Sequence, residues 1–362
     1  MRILVLGTEP YALAIAAVAA GAGHAVSLWA GDAPSEAVAA IRAAGGMHLT
    51  GAGRLDAVVS IAVDDRPLRG AASDVDLIVV ATRLRDHTQV AAALASAAPD
   101  AGILLAPGGV GGALAFQYQV AVRFVAEAPG FPILADIDGA HVRVRGLKRG
   151  LPVGVVPHEQ TPAAVAAIRS LGLDVAPACS VTDTSLANTN VLIHPPLVLA
   201  NWARLESGRP YRLYREGLSA AGARLIDAID QERLRLAAAL GAETISVADW
   251  LRHFYADQGM RGADVLELLG GFPAFESTLG PTSIDHRYLT DDVPFGLVPL
   301  AALGRAVDVS MPTIEAVITC LGALGGTDFR SAGRSLDDMG LAGLSPASVR
   351  KHLGQARDAA RA

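Results

Sequence analysis

The sequence predicts an α/β domain built on a doubly wound parallel sheet over residues 1–183, followed by an all-α domain over residues 184–362. Three observations carry this expectation. A strand, turn, helix and second strand follow one another within about thirty residues of the N-terminus. Continuous apolar runs recur at DLIVVAT (76–82) and GILLAPG (102–108), as in strands covered on both faces. Beyond residue 185 such runs nearly vanish, and apolar residues recur at three- and four-residue spacing instead.

The first run, MRILVLG (1–7), ends in glycine, and the alanine-rich segment from Tyr11 to Ala22 reads as a helix. Gly21 and Gly23 stop it, and HAVSLWA (24–30) returns the chain into the sheet. The runs at 76–82 and 102–108 are separated by a helical stretch containing His87, which continues the alternation of a parallel sheet. MHLTGAG, DAVVSIAVDD, FPILADID, HVRVRG and LPVGVVP alternate more like antiparallel or mixed strands, and they are expected to extend the same sheet. Thr161-Pro162 opens a helix to about Leu171, and LDVAPAC (173–179) is the last strand candidate. From Ser185 the pattern is helical, with residues 213–241 read as one long helix closed by Gly241.

A chain of 362 residues, 51% hydrophobic and 18% charged, is long enough for two cores and too apolar for a disordered chain. The formal charge of −6 offers no general attraction to nucleic acid or anionic membrane, so an anionic ligand must be held by local geometry. Cys179 and Cys320 stand far apart with no C-x-x-C partner. That excludes a disulfide framework and a zinc ribbon and suits a reducing, cytoplasmic compartment. No metal ligand set is expected. Glu9 and Pro10 interrupt the apolar N-terminus, which argues against a signal peptide, and no run has the roughly 18 apolar residues of a membrane span.

The turn after the first strand is where a dinucleotide pyrophosphate would sit, on the amides of a helix N-terminus. The G-x-G-x-x-G/A pattern of such turns is altered here. The frame is Gly7-Thr8-Glu9-Pro10-Tyr11-Ala12, so Gly7 and Ala12 stand while Glu9 replaces the middle glycine. A carboxylate there adds bulk and negative charge, and Pro10 removes an amide donor. Ala30 stands where an acidic ribose contact is expected, with Asp32 two positions on. These departures leave open a domain that keeps the fold with lost or altered nucleotide binding. A second glycine cluster, Pro107 to Gly112, follows the strand at 102–108 at the ligand-binding edge; it can equally be a turn whose glycines permit positive φ.

The densest chemical segment is Asn188 to Pro196, just past the domain boundary and so expected to face the cleft between domains. Asn190 and His194 are four residues apart, on one helical face. A histidine can give or take a proton near neutrality, and a neighbouring amide can orient a carbonyl or carboxylate. A second polar cluster, Asp285 to Pro294, could supply a carboxylate for the imidazole; taken alone it is also a solvated loop before a helix.

NTNVLIHPPLVLANWARLE, YREG, DQERLRLAAALG, RYLTDDVPFGLVPLAALG and GRSLDDMGLAGLS, in that order, resemble the octopine/nopaline (opine) dehydrogenase family. The resemblance spans nearly all of the second domain. It continues more weakly into the first, through GGMHLTG, VDLIVVAT, the Pro107-Gly108-Gly109 cluster and GGALAF, which fit the family's Rossmann-like half. The resemblance implies reductive condensation of an α-keto acid with the amine of an amino acid, with NADH or NADPH delivering hydride. It matches His194 to the catalytic histidine, Asp292 to its carboxylate partner and Asn190 to an amide of the substrate region. Arg287 matches an arginine that senses the cofactor pyrophosphate, and Gly7, Thr8, Glu9, Ala12, Thr82, Pro107 and Gly108 fall at cofactor-binding positions. Ala106, where the family often has asparagine, and Leu134 and Ala135, near substrate-recruiting positions, depart from the pattern.

The expected activity is therefore that of an NAD(P)H-dependent oxidoreductase acting on a CH–NH bond. Its partners are the two small substrates, and a homodimer is compatible with the sequence. The enzymatic rival, raised by Glu9 and Ala30, is a non-redox condensation or cyclisation of an imine or keto acid. A scaffold protein would have no physical need for Asn190, His194, Arg287 and Asp292 together. The keto acid, the amino donor, the stereochemistry and the choice of NADH or NADPH are not legible.

Overall fold

The computed structural model describes residues 1–31, 35–51, 56–97 and 100–361. The chain divides into two compact units, Met1–Gly108 with Gly112–Thr184, and Gly109–Gly111 with Ser185–Arg361. Among the described residues, no helix is long and apolar enough to cross a membrane.

The first unit is a Rossmann-like α/β fold. Its strands in chain order are β1 (Arg2–Leu6), β2 (Ala25–Trp29), β3 (Gly46–Thr50), β4 (Ala57–Ser60), β5 (Ala62–Val63) and β6 (Leu77–Val80). They continue with β7 (Gly102–Leu105), β8 (Phe124–Glu127), β9 (Ile133–Asp138), β10 (His141–Leu147), β11 (Leu151–Val156) and β12 (Val175–Pro177). The main sheet has the order β12-β11-β8-β7-β6-β1-β2-β5. Pairing is parallel from β5 through β8, and β11 joins antiparallel to β8. Every residue of β6 and β7 is buried, which is why these strands read as unbroken apolar runs rather than alternating ones. From β1 the chain winds outward to β2 and β5, then restarts on the other side at β6. A doubly wound sheet offers its ligand crevice at that reversal, outside the carboxyl ends of β1 and β6.

The expectation that the intervening strands extend this sheet is corrected. β4, β3, β10 and β9 form a separate four-stranded sheet, and only β5 and β11 join the main one. The helix Pro10–Gly21 explains the split. It packs on β1 and β2 and also on β3, β4, β9 and β10, so it lies between the two sheets. All its residues from Ala12 to Val18 are buried, with no polar stripe. A helix covered on every side needs small apolar residues all round, which is what the alanine-rich sequence provides.

The second unit is helical. Its longest helix, Ala220–Leu240, packs on Asn190–Ala200 and Pro312–Gly325. It begins seven residues later than the sequence pattern suggested. Ser219 caps it by accepting the Gly222 N–H at 3.1 Å, and Leu213–Gly217 forms a separate, wider π-helical turn. That turn is pinned because Asn201 Nδ2 donates to the carbonyls of Gly217 and Leu197, at 2.7 and 2.8 Å. At the other end Gly241 takes the left-handed conformation, φ +67°, that ends the helix.

The DQER segment of this long helix ties the unit together. Arg233, 1% exposed, is paired with Asp230 through Nε at 2.8 Å and donates to the carbonyls of Leu186 and Ile245. Asp230 accepts the Val247 N–H at 2.8 Å, at the start of the helix Val247–Tyr255, and Glu232 accepts the N–H groups of Thr313 and Ile314, at 2.7 and 2.9 Å. Two carboxylates and one guanidinium thus satisfy backbone groups of several elements that would otherwise be buried without partners.

Candidate active site

In the first unit a cavity of about 510 Å³ opens at the sheet's reversal point. Gly7, Thr8 and Glu9 line it from the turn after β1, Trp29, Ala30 and Gly31 from the end of β2, and Thr82 and Arg83 from the end of β6. Gly7 has φ +125°, and a Cβ there would lie 2.3 Å from the Ala81 carbonyl oxygen, so only glycine lets β1 turn this close to β6. Ala12 lies behind the turn rather than on the cavity wall: it is fully buried, and its methyl is what a Gly7 side chain would next meet, at 3.3 Å. Glu9 is extended and precedes the helix without capping it through its side chain, and Pro10 takes the first helical position. There the missing proline N–H costs the helix nothing, though it removes one donor from a ligand. The Thr82 hydroxyl is buried with no hydrogen-bond partner among the described residues.

Pro107 and Gly108 do not line this cavity. Gly108 packs on the fully buried Glu127, whose Cγ would stand 2.3 Å from a Cβ at Gly108. Glu127 accepts the Ala113 N–H at 2.8 Å and the Thr184 hydroxyl at 3.2 Å, so the start of the helix Gly112–Gln119 already holds the protein's own carboxylate. Gly109 and Gly111 have φ +75° and +74°. Between them Val110 donates its N–H to the Phe295 carbonyl at 2.9 Å and accepts from Arg334 at 2.6 Å, within the second unit. Asp32 lies outside the described residues. Arg83, which follows β6 on the cavity's other wall, has no motif of its own in the sequence.

In the second unit, His194 and Asp292 are brought together from 98 residues apart. Nδ1 of His194 lies 2.7 Å from Oδ2 of Asp292, and the two residues are 5% and 3% exposed. His194 sits in the helix Asn190–Ala200, and Asp292 precedes a π-helical turn, Val293–Leu297. Gly296 allows the approach: a Cβ there would lie 2.3 Å from Val191 on the histidine's helix. Asn190, half-buried, stands one turn before His194, and its N–H donates to Asn188 Oδ1 at 3.2 Å.

The Tyr288 ring stacks on the imidazole, with centroids 3.7 Å apart and planes 21° from parallel. Arg287 lies with its guanidinium carbon 5.0 Å from the centre of the Tyr288 ring. Burial holds the His194 imidazole below its ordinary pKa; Asp292 opposes this, and Arg287 adds to it. The imidazole is therefore neutral at neutral pH. Its Nδ1–H is donated to the Asp292 carboxylate, which leaves the Nε2 lone pair as the proton acceptor. Such a pair gives or takes one proton at Nε2 while the carboxylate fixes the ring and stabilises the imidazolium.

Residues 177–324, nearly all of them in the second unit, fit the NAD/NADP octopine/nopaline dehydrogenase α-helical domain. The chain is 34% identical over 288 residues to an opine dehydrogenase of Arthrobacter sp. (strain 1C), covering 77% of this chain and 79% of that one. The chain belongs to the opine dehydrogenase family. It is accordingly an NAD(P)-dependent oxidoreductase acting on a CH–NH bond. In fold it resembles octopine dehydrogenase solved with NADH and L-arginine, at TM-score 0.76 and 18% identity over 98% of both chains. It also resembles yersinopine dehydrogenase solved with NADP+, at TM-score 0.72 and 17% identity over 99% of both. Opine dehydrogenase family membership thus rests on sequence, and the architecture of both units on sequence and fold together.

Proposed function

We propose that this opine dehydrogenase condenses an α-keto acid with the amine of an amino acid and reduces the resulting imine, with His194 as general acid/base. The carrying observation is the buried 2.7 Å pair between His194 and Asp292. A neutral histidine with Nδ1 committed to a carboxylate is poised to exchange a proton at Nε2. Condensation joins the amine nitrogen to the keto carbon and expels the carbonyl oxygen as water: neutral His194 takes a proton from the incoming ammonium at Nε2 and, as the imidazolium, returns it to the leaving hydroxyl. Reduction adds a hydride to the carbon of the resulting iminium, whose nitrogen keeps its remaining hydrogen, giving a secondary amine. Asp292 stabilises the imidazolium during each transfer, and Asn190 orients the substrate.

The first unit fits a nicotinamide dinucleotide. Its cavity stands at the reversal point, a glycine without room for a side chain turns the chain there, and the buried Thr82 hydroxyl is left unpaired. Gly7, Thr8, Glu9 and Thr82 would hold the nucleotide, and Arg287 would answer its pyrophosphate. When bound, the reduced nicotinamide supplies the hydride. NADH and NADPH are both candidates: Ala30 and Gly31 present no carboxylate to a 2′-phosphate, while the lining carries charges of both signs in Glu9, Arg83 and Asp86.

The test is a nicotinamide fluorescence titration with NADH and NADPH, followed by absorbance assays with pyruvate and each L-amino acid. The reading expects micromolar binding of at least one nucleotide and its oxidation only when keto acid and amine are both present. Keto acid consumed at equal rates with and without nucleotide would overturn it in favour of the non-redox condensation, to which the family matches give no support.

A further inference from the structure

Tyr211 is buried, 4% exposed, yet its hydroxyl has no hydrogen-bond partner among the described residues. Its ring sits in a slot built for it by two glycines. A Cβ on Gly280 would lie 2.1 Å from Tyr211 Cζ, and one on Gly217 would lie 2.8 Å from Cε2. The backbone fixes the same slot, since Gly280 donates its N–H to the Tyr211 carbonyl at 2.8 Å and Arg212 bridges to Leu279. A phenol held this tightly cannot swing to find a partner. Leaving a buried hydroxyl unpaired is costly, so a group so placed calls for a partner from outside the chain, a water or a bound molecule.

The surroundings define that molecule's chemistry. The Arg204 guanidinium carbon lies 5.5 Å from the centre of the Tyr211 ring. Burial pushes the phenol up to about 12, so it stays protonated and can donate. The Gly217 side of the slot also abuts Asn201, whose Nδ2 would lie 3.2 Å from a Cβ there and which ends the helix that carries His194. A fixed donor beside an arginine suits an anion.

Building on the reductive condensation proposed above, we propose that the Tyr211 hydroxyl anchors a carboxylate of the substrate pair. It is a binding group, distinct from the proton-transfer group His194. Either the keto acid or the amino acid could supply the carboxylate, and kinetics with each varied in turn separates them.

The test is Tyr211→Phe, which removes only the hydroxyl. Melting temperatures are measured for both proteins with and without pyruvate, and KM and kcat for pyruvate and for the amino acid that wild type accepts. The proposal expects Tyr211→Phe to melt at or above wild type, because an unpaired group has been deleted. It expects KM for one substrate to rise roughly ten- to hundredfold, the worth of a hydrogen bond to a charged group, with kcat changed far less. A lower melting temperature with both KM values within twofold would overturn it, showing a hydroxyl satisfied by water and serving the fold. If wild type turns over no substrate pair, the functional reading fails instead. Tyr211 is then judged by whether pyruvate raises the wild-type melting temperature more than that of Tyr211→Phe, and equal shifts refute it.

Discussion

Replacing Asp292 by Asn keeps the shape of the His194 contact and removes its charge. The carboxylate lies 2.7 Å from Nδ1 with both residues almost fully buried, so little water screens the pair. Two unit charges about 4 Å apart interact by about 4 kcal/mol at an effective dielectric constant near 20, which corresponds to roughly a thousandfold in rate or equilibrium. In Asp292→Asn that stabilisation of the imidazolium is gone, while the burial and the Arg287 charge that already disfavour it remain. An asparagine can also donate to Nδ1, which forces the tautomer with hydrogen on Nε2 and blocks proton acceptance there. The expected outcome is a loss of about 10²–10⁴ in kcat/KM with no loss of fold. The sign of the pH effect follows from the imidazole. The oxidative direction needs neutral His194, so its rate rises with pH through the histidine's pKa, and in Asp292→Asn that rise moves to lower pH. The assay is kcat/KM against pH in the oxidative direction for both proteins, with His194→Gln as the inactive reference and circular dichroism as the folding control. A folded Asp292→Asn enzyme within tenfold of wild type and with the same acid limb would refute the dyad.

Glu9→Gly removes a carboxylate from the wall of the nucleotide cavity and should tighten NAD(P)H binding, incompletely because Pro10 still withholds an amide; an unchanged, tight dissociation constant would show that Glu9 bonds the ribose or turns away. Arg287→Ala should weaken nucleotide binding by about 1.5–3 kcal/mol, the worth of a charge-assisted contact, measured by calorimetry. Unchanged nucleotide affinity would move this arginine to a substrate carboxylate. Arg233→Met leaves the Asp230 carboxylate buried without its cation and should cost about 3–5 kcal/mol in urea unfolding, whereas surface-like behaviour, under about 1 kcal/mol, would contradict its burial.

The sheet was legible where burial is symmetrical. β6 and β7 are covered on both faces and read as unbroken apolar runs, and the strand–turn–helix at the N-terminus carries its own punctuation in Gly7 and Gly23. The second sheet was not separable from the first, because β3, β4, β9 and β10 have ordinary strand composition and only tertiary packing around the helix Pro10–Gly21 divides them. The π-helical turn at Leu213–Gly217 was hidden for a related reason: its pinning group, Asn201, lies on another element. At the site, His194 and Asn190 were visible through their four-residue spacing, and Asp292 through the family resemblance. Tyr288, which stacks on the imidazole, Glu127, which fills the second glycine turn, and Arg83 carry no local signature, because each matters through a neighbour that is distant in sequence.

The helix Pro10–Gly21 has a consequence for how this enzyme can change over evolutionary time. Wedged between two sheets, its stretch from Ala12 to Ala19 is buried all round and leaves no room for a larger side chain, and a Cβ on Gly21 would stand 3.3 Å from Leu49. The amides at its first turn are consequently fixed in place, and a lineage cannot adjust its grip on a nucleotide by shifting or tilting this helix. Substitution meets less resistance at the half-buried rim of the cavity, at Thr8 and Glu9 and at the end of β2. Substitutions that alter nucleotide affinity are therefore expected at Thr8 and Glu9, which line the cavity, rather than within the helix.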